Sequence, residues 1–558
     1  MKKVWIVWSA ILFSLFLITG CGSLSQGSAE GTDPSAPIVI GVSPSEAKVG
    51  EEIRVTGERF GTGQGSSRLI VGGVAATQIV GWSDTEILAV VPAGASSGSV
   101  KVVIAGAESS PGFLAVLWTQ ENPENVAISA AASDQQSPQA VSDGAGGMII
   151  AWMDIRSGTN FDIYAQRVNG SGTVQWTSNG VPISTAAGSQ QHPQIISDGA
   201  GGAIITWQDG RDGNFDIDAQ RVNGDGVVQW TVDGIAVAAG GHSEFSPQIV
   251  PDGAGGAIIA WQDDRNGKID VYAQRVNANG AVRWAAGGVA VSTAATNKIF
   301  FRLISDGAGG AIITWQDDRG GGWDLYAQRI NGDGSVRWSA EGVSVSLAAN
   351  TQGAPRLVSD GNGGAIIVWQ DDRDGEWDVY AQRVDGNGAA VWATGGIIIS
   401  NTAHNQRVPQ VISDGGGGAI ITWQNVSSGT IFDVYAQRVD GGGAAQWATG
   451  GVIISSAADI QGTPQLVTDG AGGAIIAWQD LRGGSWDLFA QRVNEVGEVQ
   501  WSIDGVAIST APGDQKVALL ISDGAGGAAA VWEDSRNGTD AVPSWDIYAQ
   551  GISAGGRE

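Results

Sequence analysis

The turn sequence Asp-Gly-x-Gly-Gly recurs eight times, and this repetition constrains the fold more than any other feature of the chain. Neighbouring turns lie 54 or 55 residues apart and begin at Asp143, Asp198, Asp252, Asp306, Asp360, Asp414, Asp469 and Asp523. Each unit contains four runs rich in Val, Ile, Trp and Tyr, separated by Gly, Asn and Asp, which is typical of β-strands joined by turns. Four-stranded units at this spacing predict an all-β repeat fold, either a propeller or a solenoid.

The two ends of the array favour the propeller. The run Val126–Ser129 precedes the first unit and has the pattern of a fourth strand without its own first three. After the last turn the chain supplies two further strands and no fourth. The leading strand can therefore complete the last blade, and a closed ring leaves no sheet end exposed. The sequence predicts an eight-bladed β-propeller of four-stranded blades over residues 118–554, with 555–558 as a tail.

Residues 37–117 have a different pattern, with short alternating apolar runs bounded by Gly, Pro or Ser. This spacing predicts a small β-sandwich. The segment resembles an IPT/TIG domain, which implies an immunoglobulin-like fold that usually serves as a spacer or a protein-binding module. The residues that carry the resemblance are Ser43-Pro44, Gly50, Thr56-Gly57, Phe60-Gly61, Trp82-Ser83-Asp84-Thr85 and Val91-Pro92.

The sequence of the repeat also resembles a known family. The sequence DRDGEWDVYAQRVDGNG (372–388) is similar to TolB-like propeller repeats, relatives of WD repeats. The resemblance implies a fold and no particular activity, because such propellers serve many functions.

The first residues have the pattern of a targeting signal. Lys2 and Lys3 precede an apolar run, and residues 1–20 are predicted to be a signal peptide. The sequence Ile-Thr-Gly-Cys at 18–21 resembles a bacterial lipobox, which implies cleavage before Cys21 and acylation of Cys21. An ordinary signal peptide or a signal anchor is the alternative. Residues 21–36 have the composition of a flexible tether.

Composition limits the partners and the chemistry. The net charge of −27 disfavours nucleic acid, because phosphate binding needs clustered Lys and Arg. The single cysteine allows no intrachain disulfide. The three histidines lack metal-ligand spacing, and no GxSxG, HExxH or phosphate-loop motif occurs. We expect no enzymatic activity, no cofactor and a monomer; a polysaccharide hydrolase or lyase with its site in the propeller channel is the alternative.

The residues shared by all units are interpreted as architecture. Sixteen of the 23 Trp residues occupy two fixed positions per blade and are predicted to fill the core between blades, with a sugar platform as the alternative. The Asp before each third strand is expected to accept turn N–H groups or to pair with the Arg of the following Gln-Arg step. One turn, QDDRDGEWD (370–378), comes close to a calcium-loop pattern with Asp372, Asp374 and Asp378 as ligands, but sister turns such as QDLRGGSWD (479–487) lack the central oxygen side chain, which favours a tight polar turn over a calcium site.

Function is expected where the units differ. The crossovers from each fourth strand to the next first strand vary most, which indicates a recognition face on a rigid scaffold, although neutral drift would look the same. The segment TNKIFFR (296–302) places two cations beside two aromatics where sister units have small or polar residues. One Phe is expected to face the channel. The candidate binding residues are Lys298, Phe300, Phe301, Arg302, His242, Phe245, His404 and Arg407.

These observations predict a lipoprotein of the outer membrane or cell surface, facing the periplasm or the exterior. Its propeller would bind protein or glycan without catalysis. A purely structural envelope component is the remaining alternative.

Overall fold

The computed structural model describes residues 36–556 except 45, 49, 73, 93–94, 96–97, 105, 110–111, 118–124, 429–430 and 539–543. The predicted signal peptide, most of the tether with Cys21, Trp118 and the last two residues of the tail lie outside the described residues. The described part of the chain consists of β-strands, turns and loops. It contains no helix long and apolar enough to cross a membrane.

The N-terminal unit is a sandwich of two sheets. One sheet has the strand order β1-β3-β7-β6, and the other has the order β2-β10-β8-β4-β5, with β9 beside β8. Strand β3 alternates exposed and buried residues, and the buried set packs with Phe60 and Leu69 into a core of its own. The strands are β1 (Ile38–Ser43), β2 (Glu46–Lys48), β3 (Glu52–Glu58), β4 (Arg68–Val71), β5 (Val74–Ala75), β6 (Ile79–Trp82), β7 (Glu86–Val90), β8 (Gly98–Ile104), β9 (Ala107–Glu108) and β10 (Gly112–Leu117).

The remaining strands form eight four-stranded antiparallel sheets, one for each predicted blade. The innermost strands are β12 (Gln135–Ser142), β16 (Gln190–Ser197), β20 (Glu244–Pro251), β24 (Lys298–Ser305), β28 (Gln352–Ser359), β32 (Asn405–Ser413), β36 (Gln461–Thr468) and β40 (Gln515–Ser522). The second strands are β13 (Met148–Asp154), β17 (Ala203–Asp209), β21 (Ala257–Asp263), β25 (Ala311–Asp317), β29 (Ala365–Asp371), β33 (Ala419–Ser428), β37 (Ala474–Asp480) and β41 (Ala528–Asp534). Their burial on both faces explains the near-continuous apolar runs.

The third strands are β14 (Asp162–Val168), β18 (Asp216–Val222), β22 (Asp270–Val276), β26 (Asp324–Ile330), β30 (Asp378–Val384), β34 (Ile431–Val439), β38 (Asp487–Val493) and β42 (Asp546–Ile552). The outer strands are β15 (Val181–Ser184), β19 (Ile235–Ala238), β23 (Val289–Ala290), β27 (Val343–Ser346), β31 (Ile397–Ser400), β35 (Val452–Ser455), β39 (Val506–Ser509) and β11 (Val126–Ser129).

Strand β11 closes the ring, as the sequence predicts. It pairs antiparallel with β42, with Val126 opposite Ala549 and Ala127 opposite Tyr548. The last blade therefore takes its outer strand from the start of the array, and its sheet has the order β11-β42-β41-β40. The fold is an eight-bladed β-propeller.

Tryptophan fills the space between blades. The side chains of the eight second-strand Trp residues are fully buried, which confirms their prediction as core and leaves them no surface for a sugar. Trp152, for example, packs with Val531 and Ile547 of the last blade. The seven described Trp residues near the outer strands donate their indole N–H groups to carbonyls of the following blade, as Trp176 does to Gly224 at 3.0 Å.

Two carboxylate–guanidinium pairs recur in the blades. The Arg of the Gln-Arg step pairs with the Asp of the Asp-Gly-x-Gly-Gly turn, as Arg383 does with Asp360. In all seven described blades that have this Arg, its ion-pair partner is the turn Asp and not the Asp that begins the third strand, which was the predicted partner. The second pair holds the polar turn: Asp371 accepts from the Trp369 indole at 2.8 Å and from Arg373, whose guanidinium lies over the Tyr380 ring.

Candidate binding site

Every inner strand contains a β-bulge near its crossover end. In seven blades the first unpaired residue of the bulge has a positive φ, between 47° and 54°, although none of these residues is glycine. In the first blade, for example, this residue is Ser137, which directly follows the paired residue Gln136. This backbone conformation is unfavourable for residues with a Cβ and is most strained for β-branched or bulky ones. We call these residues the mouth ring: Ser137, His192, Ser246, Phe300, Ala354, Val408 and Thr463.

A side chain from the preceding blade holds the bulge in several places. The Ser246 N–H donates to the Gln208 Oε1 at 3.3 Å, and the Val408 N–H donates to the Gln370 Oε1 at the same distance. In the first blade the Ser137 N–H donates to the Glu533 carboxylate at 2.6 Å, across the closure of the ring. The mouth ring therefore combines a repeated, tightly held backbone with side chains that differ from blade to blade.

A cavity of about 440 Å³ adjoins the mouth ring, and two members of the ring, His192 and Ser246, help to line it. Residues from seven blades line it, which places it on the propeller axis; we call it the channel cavity. Its size is within the usual range for small-molecule sites. The lining residues are Gln139, His192, Gln194, Ser246, Pro247, Gln248, Arg302, Arg356, Gln410 and Gln465.

Most of the polar lining comes from one position of the repeat, four residues before the Asp of the Asp-Gly-x-Gly-Gly turn. Five blades place a glutamine there, two adjacent blades place Arg302 and Arg356, and the last places Leu519. We call the two arginines the arginine pair, and we call the glutamines the amide ring: Gln139, Gln194, Gln248, Gln410 and Gln465.

Each guanidinium of the arginine pair is anchored to protein through part of its hydrogen-bonding capacity. Arg302 donates to the Phe301 carbonyl at 2.8 Å. Arg356 donates to the Pro355 carbonyl at 3.0 Å and to the Gln410 Oε1 at 3.1 Å. A guanidinium has five N–H donors, so both retain donors that no described residue occupies.

The electrostatic setting of the arginine pair is unusual for this protein. Burial lowers the pKa of Arg302, and burial followed by repulsion from Arg302 lowers the pKa of Arg356 to about 9. No carboxylate in the described ranges forms an ion pair with either side chain, and the lining of the channel cavity contains none. The repeated arginines differ, because their carboxylate partners lie within 3.1 Å.

Lys298 does not reach the rim, so its prediction as a ligand-binding residue is wrong. Its side chain is fully buried, and its ammonium group donates to Asp270 at 2.6 Å and to the Ala294 and Thr296 carbonyls. In the first blade the corresponding Gln135 donates to the carbonyls of Ala131 and Ser133. Lys298 therefore donates to crossover carbonyls as Gln135 does, and Asp270 neutralises its added charge.

The two phenylalanines of the same segment lie in different environments. Phe301 is buried in the core between blades with Trp315 and Leu303, so the prediction that it contributes to binding is wrong. Phe300 belongs to the mouth ring and is 59% exposed. Arg302 lies in the channel cavity rather than on the outer rim.

The remaining predicted residues lie at the crossovers. His242, His404 and Arg407 are exposed, and Phe245 is partly buried. The backbone N–H of His404 donates to Glu376 at 3.1 Å. None of the four lines the channel cavity in the described part of the structure.

The predicted calcium turn is held by protein contacts. Asp372 accepts the Thr351 N–H at 2.5 Å. Burial and the nearby Asp374, Glu376 and Asp371 raise the pKa of Asp378 to about 6. Among the described residues no group of three acidic, His or Cys side chains is arranged to hold a metal ion.

The sequence interpretation missed Arg356 and the amide ring. Aligning the units on their Asp-Gly-x-Gly-Gly turns brings these residues into one column, where the two arginines depart from glutamine in adjacent blades. Comparing the units at this aligned position could therefore have identified the site from the sequence.

Comparison with known proteins identifies one part of the chain. Residues 37–115 match the IPT/TIG domain family. The N-terminal sandwich is an IPT/TIG domain. No curated protein matches the chain.

Several solved structures are similar to the chain at low identity. A TolB-type protein from Agrobacterium tumefaciens is 18% identical over 49% of this chain and 82% of its own, with a TM-score of 0.28. An auxiliary nutrient binding protein from Bacteroides thetaiotaomicron is 11% identical over 70% and 95%, with a TM-score of 0.24. A eukaryotic initiation factor is 9% identical over 72% and 82%, with a TM-score of 0.36. Similarity at this level carries no statement about activity.

Proposed function

We propose that this protein is a non-enzymatic binding module of the bacterial cell envelope. Cys21 carries the lipid anchor, the IPT/TIG domain is a spacer, and the propeller presents its mouth ring and channel cavity to a ligand. The favoured ligand is a glycan, and a protein partner is the alternative.

The mouth ring is the observation that carries this proposal. Seven blades keep the same strained backbone while the side chain changes among Ser, His, Phe, Ala, Val and Thr. Backbone strain that seven of the eight blades retain is a feature of functional sites, and variation of side chains on a constant scaffold is a feature of recognition surfaces.

Two further features favour a glycan. The exposed ring of Phe300 can stack on the apolar face of a sugar. In the channel cavity, the amide ring offers both hydrogen-bond donors and acceptors, which suit the hydroxyl groups of a sugar.

A polysaccharide binding assay tests the proposal. The mature full chain would be titrated against immobilised polygalacturonate, chondroitin sulfate, xylan and dextran. We expect at least one to bind, and His192→Ala and Phe300→Ala to weaken that binding about tenfold. Val227→Ala is the control, because Val227 is exposed on the turn between third and outer strands. Binding that Val227→Ala abolishes and the mouth variants leave intact would contradict the proposal.

The anchor needs a separate experiment. Replacing Cys21 with Ala should move the protein from the membrane fraction to the soluble fraction and remove the acyl mass from the mature N terminus. Unchanged partitioning would show that Cys21 does not anchor the protein.

A further inference from the structure

We propose that the channel cavity binds the anionic group of an acidic sugar between Arg302 and Arg356, with the amide ring receiving the sugar hydroxyls. This inference rests on the proposed function, since it assigns the chemistry of the ligand that the propeller binds. The anionic group is a carboxylate or a sulfate.

The placement of the two arginines is the first step. They come from the same position of adjacent blades, line one cavity and are close enough to repel each other. Two neighbouring guanidinium groups with unused N–H donors form a fork that matches the oxygens of a carboxylate or sulfate.

The absence of a protein counter-charge is the second step. Burying like charges side by side is unfavourable unless an opposite charge joins them. The chain has a net charge of −27, and its repeated arginines are matched with Asp in the described blades, yet the arginine pair has no carboxylate there. An anion that enters the channel cavity would supply the missing charge.

The remaining lining points to a sugar rather than a bare ion. The amide ring surrounds the rest of the channel cavity, and side-chain amides donate to and accept from hydroxyl groups. A cavity of about 440 Å³ also exceeds what a single inorganic anion fills. An acidic sugar residue can pair its anionic group with the arginine pair while its hydroxyl groups bind the amide ring.

A structural role does not account for the arginine pair. Five other blades have glutamine at this position in the same fold. Changing either arginine to glutamine therefore restores the residue of the sister blades and should leave the propeller folded.

Calorimetric titration of the mature full chain tests the inference. The probes are trigalacturonate, its methyl ester, a sulfated disaccharide and inorganic sulfate, at low ionic strength. We expect an acidic sugar to bind, the neutral ester to bind at least tenfold more weakly, and Arg302→Gln and Arg356→Gln each to weaken binding of the acid by about 10- to 100-fold. Arg283→Gln, which removes an exposed arginine outside the cavity lining, should have no effect.

Each outcome decides the inference. Arginine-dependent binding of trigalacturonate identifies a carboxylate, and arginine-dependent binding of the sulfated disaccharide identifies a sulfate. Equal affinity for acid and ester, unchanged affinity in both glutamine variants, binding of inorganic sulfate alone, or no arginine-dependent binding overturns it. If a neutral polysaccharide binds through the mouth ring and the glutamine variants do not affect it, the proposed function stands and the acidic-sugar site does not.

Discussion

At the scale of single residues, the first position of the inner strand shows how a change within the repeat is accommodated. Six blades have a buried glutamine at this position, such as Gln352 (in the sixth blade it is Gln406, the second residue of β32), whereas Lys298 and Glu244 replace it in two. Lys298 is neutralised by Asp270. Glu244 is buried beside Asp216 and Asp263, and its closest cation, Arg265, lies 4.0 Å away. Glu244 is thus a poorly compensated acid in an otherwise neutral position.

Glu244 should make the stability of the protein depend on pH. Burial, with the nearby Asp263 and Asp216, raises the pKa of Glu244 from 4.5 to about 8. The folded state therefore binds the proton more tightly than the unfolded state, and this contribution is complete below about pH 4.5 and is lost as pH rises through about 8. Glu244→Gln should remove this loss, so that the variant gains stability over wild type between pH 5 and 9, as measured by the urea midpoint at each pH.

Glu498→Gln is a suitable control for this experiment, because Glu498 is exposed. Parallel stability curves for Glu244→Gln and wild type across that pH range would show that Glu244 is already ionised in the fold.

The Trp-Asp-Arg contact, which recurs in seven blades, should be worth several kcal/mol in each of them. Asp371 is fully buried and pairs with Arg373 at 2.5 Å. Asp371→Ala leaves a partly buried guanidinium and an indole N–H without their acceptor, which should destabilise the protein by about 3–5 kcal/mol. Chemical denaturation checks this, with the exposed Asp374→Ala as the control, expected to change stability by less than about 0.5 kcal/mol. Similar effects of the two variants would contradict an architectural role for the repeated aspartate.

At the scale of elements, the bulge explains both the success and the failure of the sequence interpretation. The turns, the second strands and the closing strand follow from runs that fit one pattern in all units. The inner strand does not, because the bulge between Ile299 and Arg302 interrupts the alternation of faces. Simple alternation therefore cannot tell that Lys298 and Phe301 are buried while Phe300 is exposed.

The closing strand should be essential to the propeller. Ile128 of β11 is buried in the core shared by the first and last blades. Deleting residues 118–130 would expose the edge of β42 and remove that packing, so the variant should melt at a lower temperature or aggregate. Deleting residues 37–116 should leave the propeller transition unchanged, because the IPT/TIG domain has a core of its own. Equal melting temperatures for the first deletion and wild type, by calorimetry, would contradict ring closure.

At the scale of the whole molecule, the fold was predictable because eight copies repeat the same structural signals and the two ends complement each other. The site was less predictable, because its residues come from seven blades and meet only on the axis. Arg302 stood out locally beside two aromatics. Arg356 occurs in an otherwise ordinary segment and becomes significant only through Arg302 in the preceding blade.

The central claim is that the residues common to the blades stabilise the propeller, whereas the arginine pair replaces the common glutamine in order to bind a ligand. The melting temperature of the double variant Arg302→Gln/Arg356→Gln, measured without ligand, tests this claim most directly. Because the change restores the glutamine of five sister blades and removes repulsion between buried cations, we expect the variant to melt at or above the wild-type temperature. A fall of more than about 3 °C would show that the two arginines stabilise the fold, and would contradict the account.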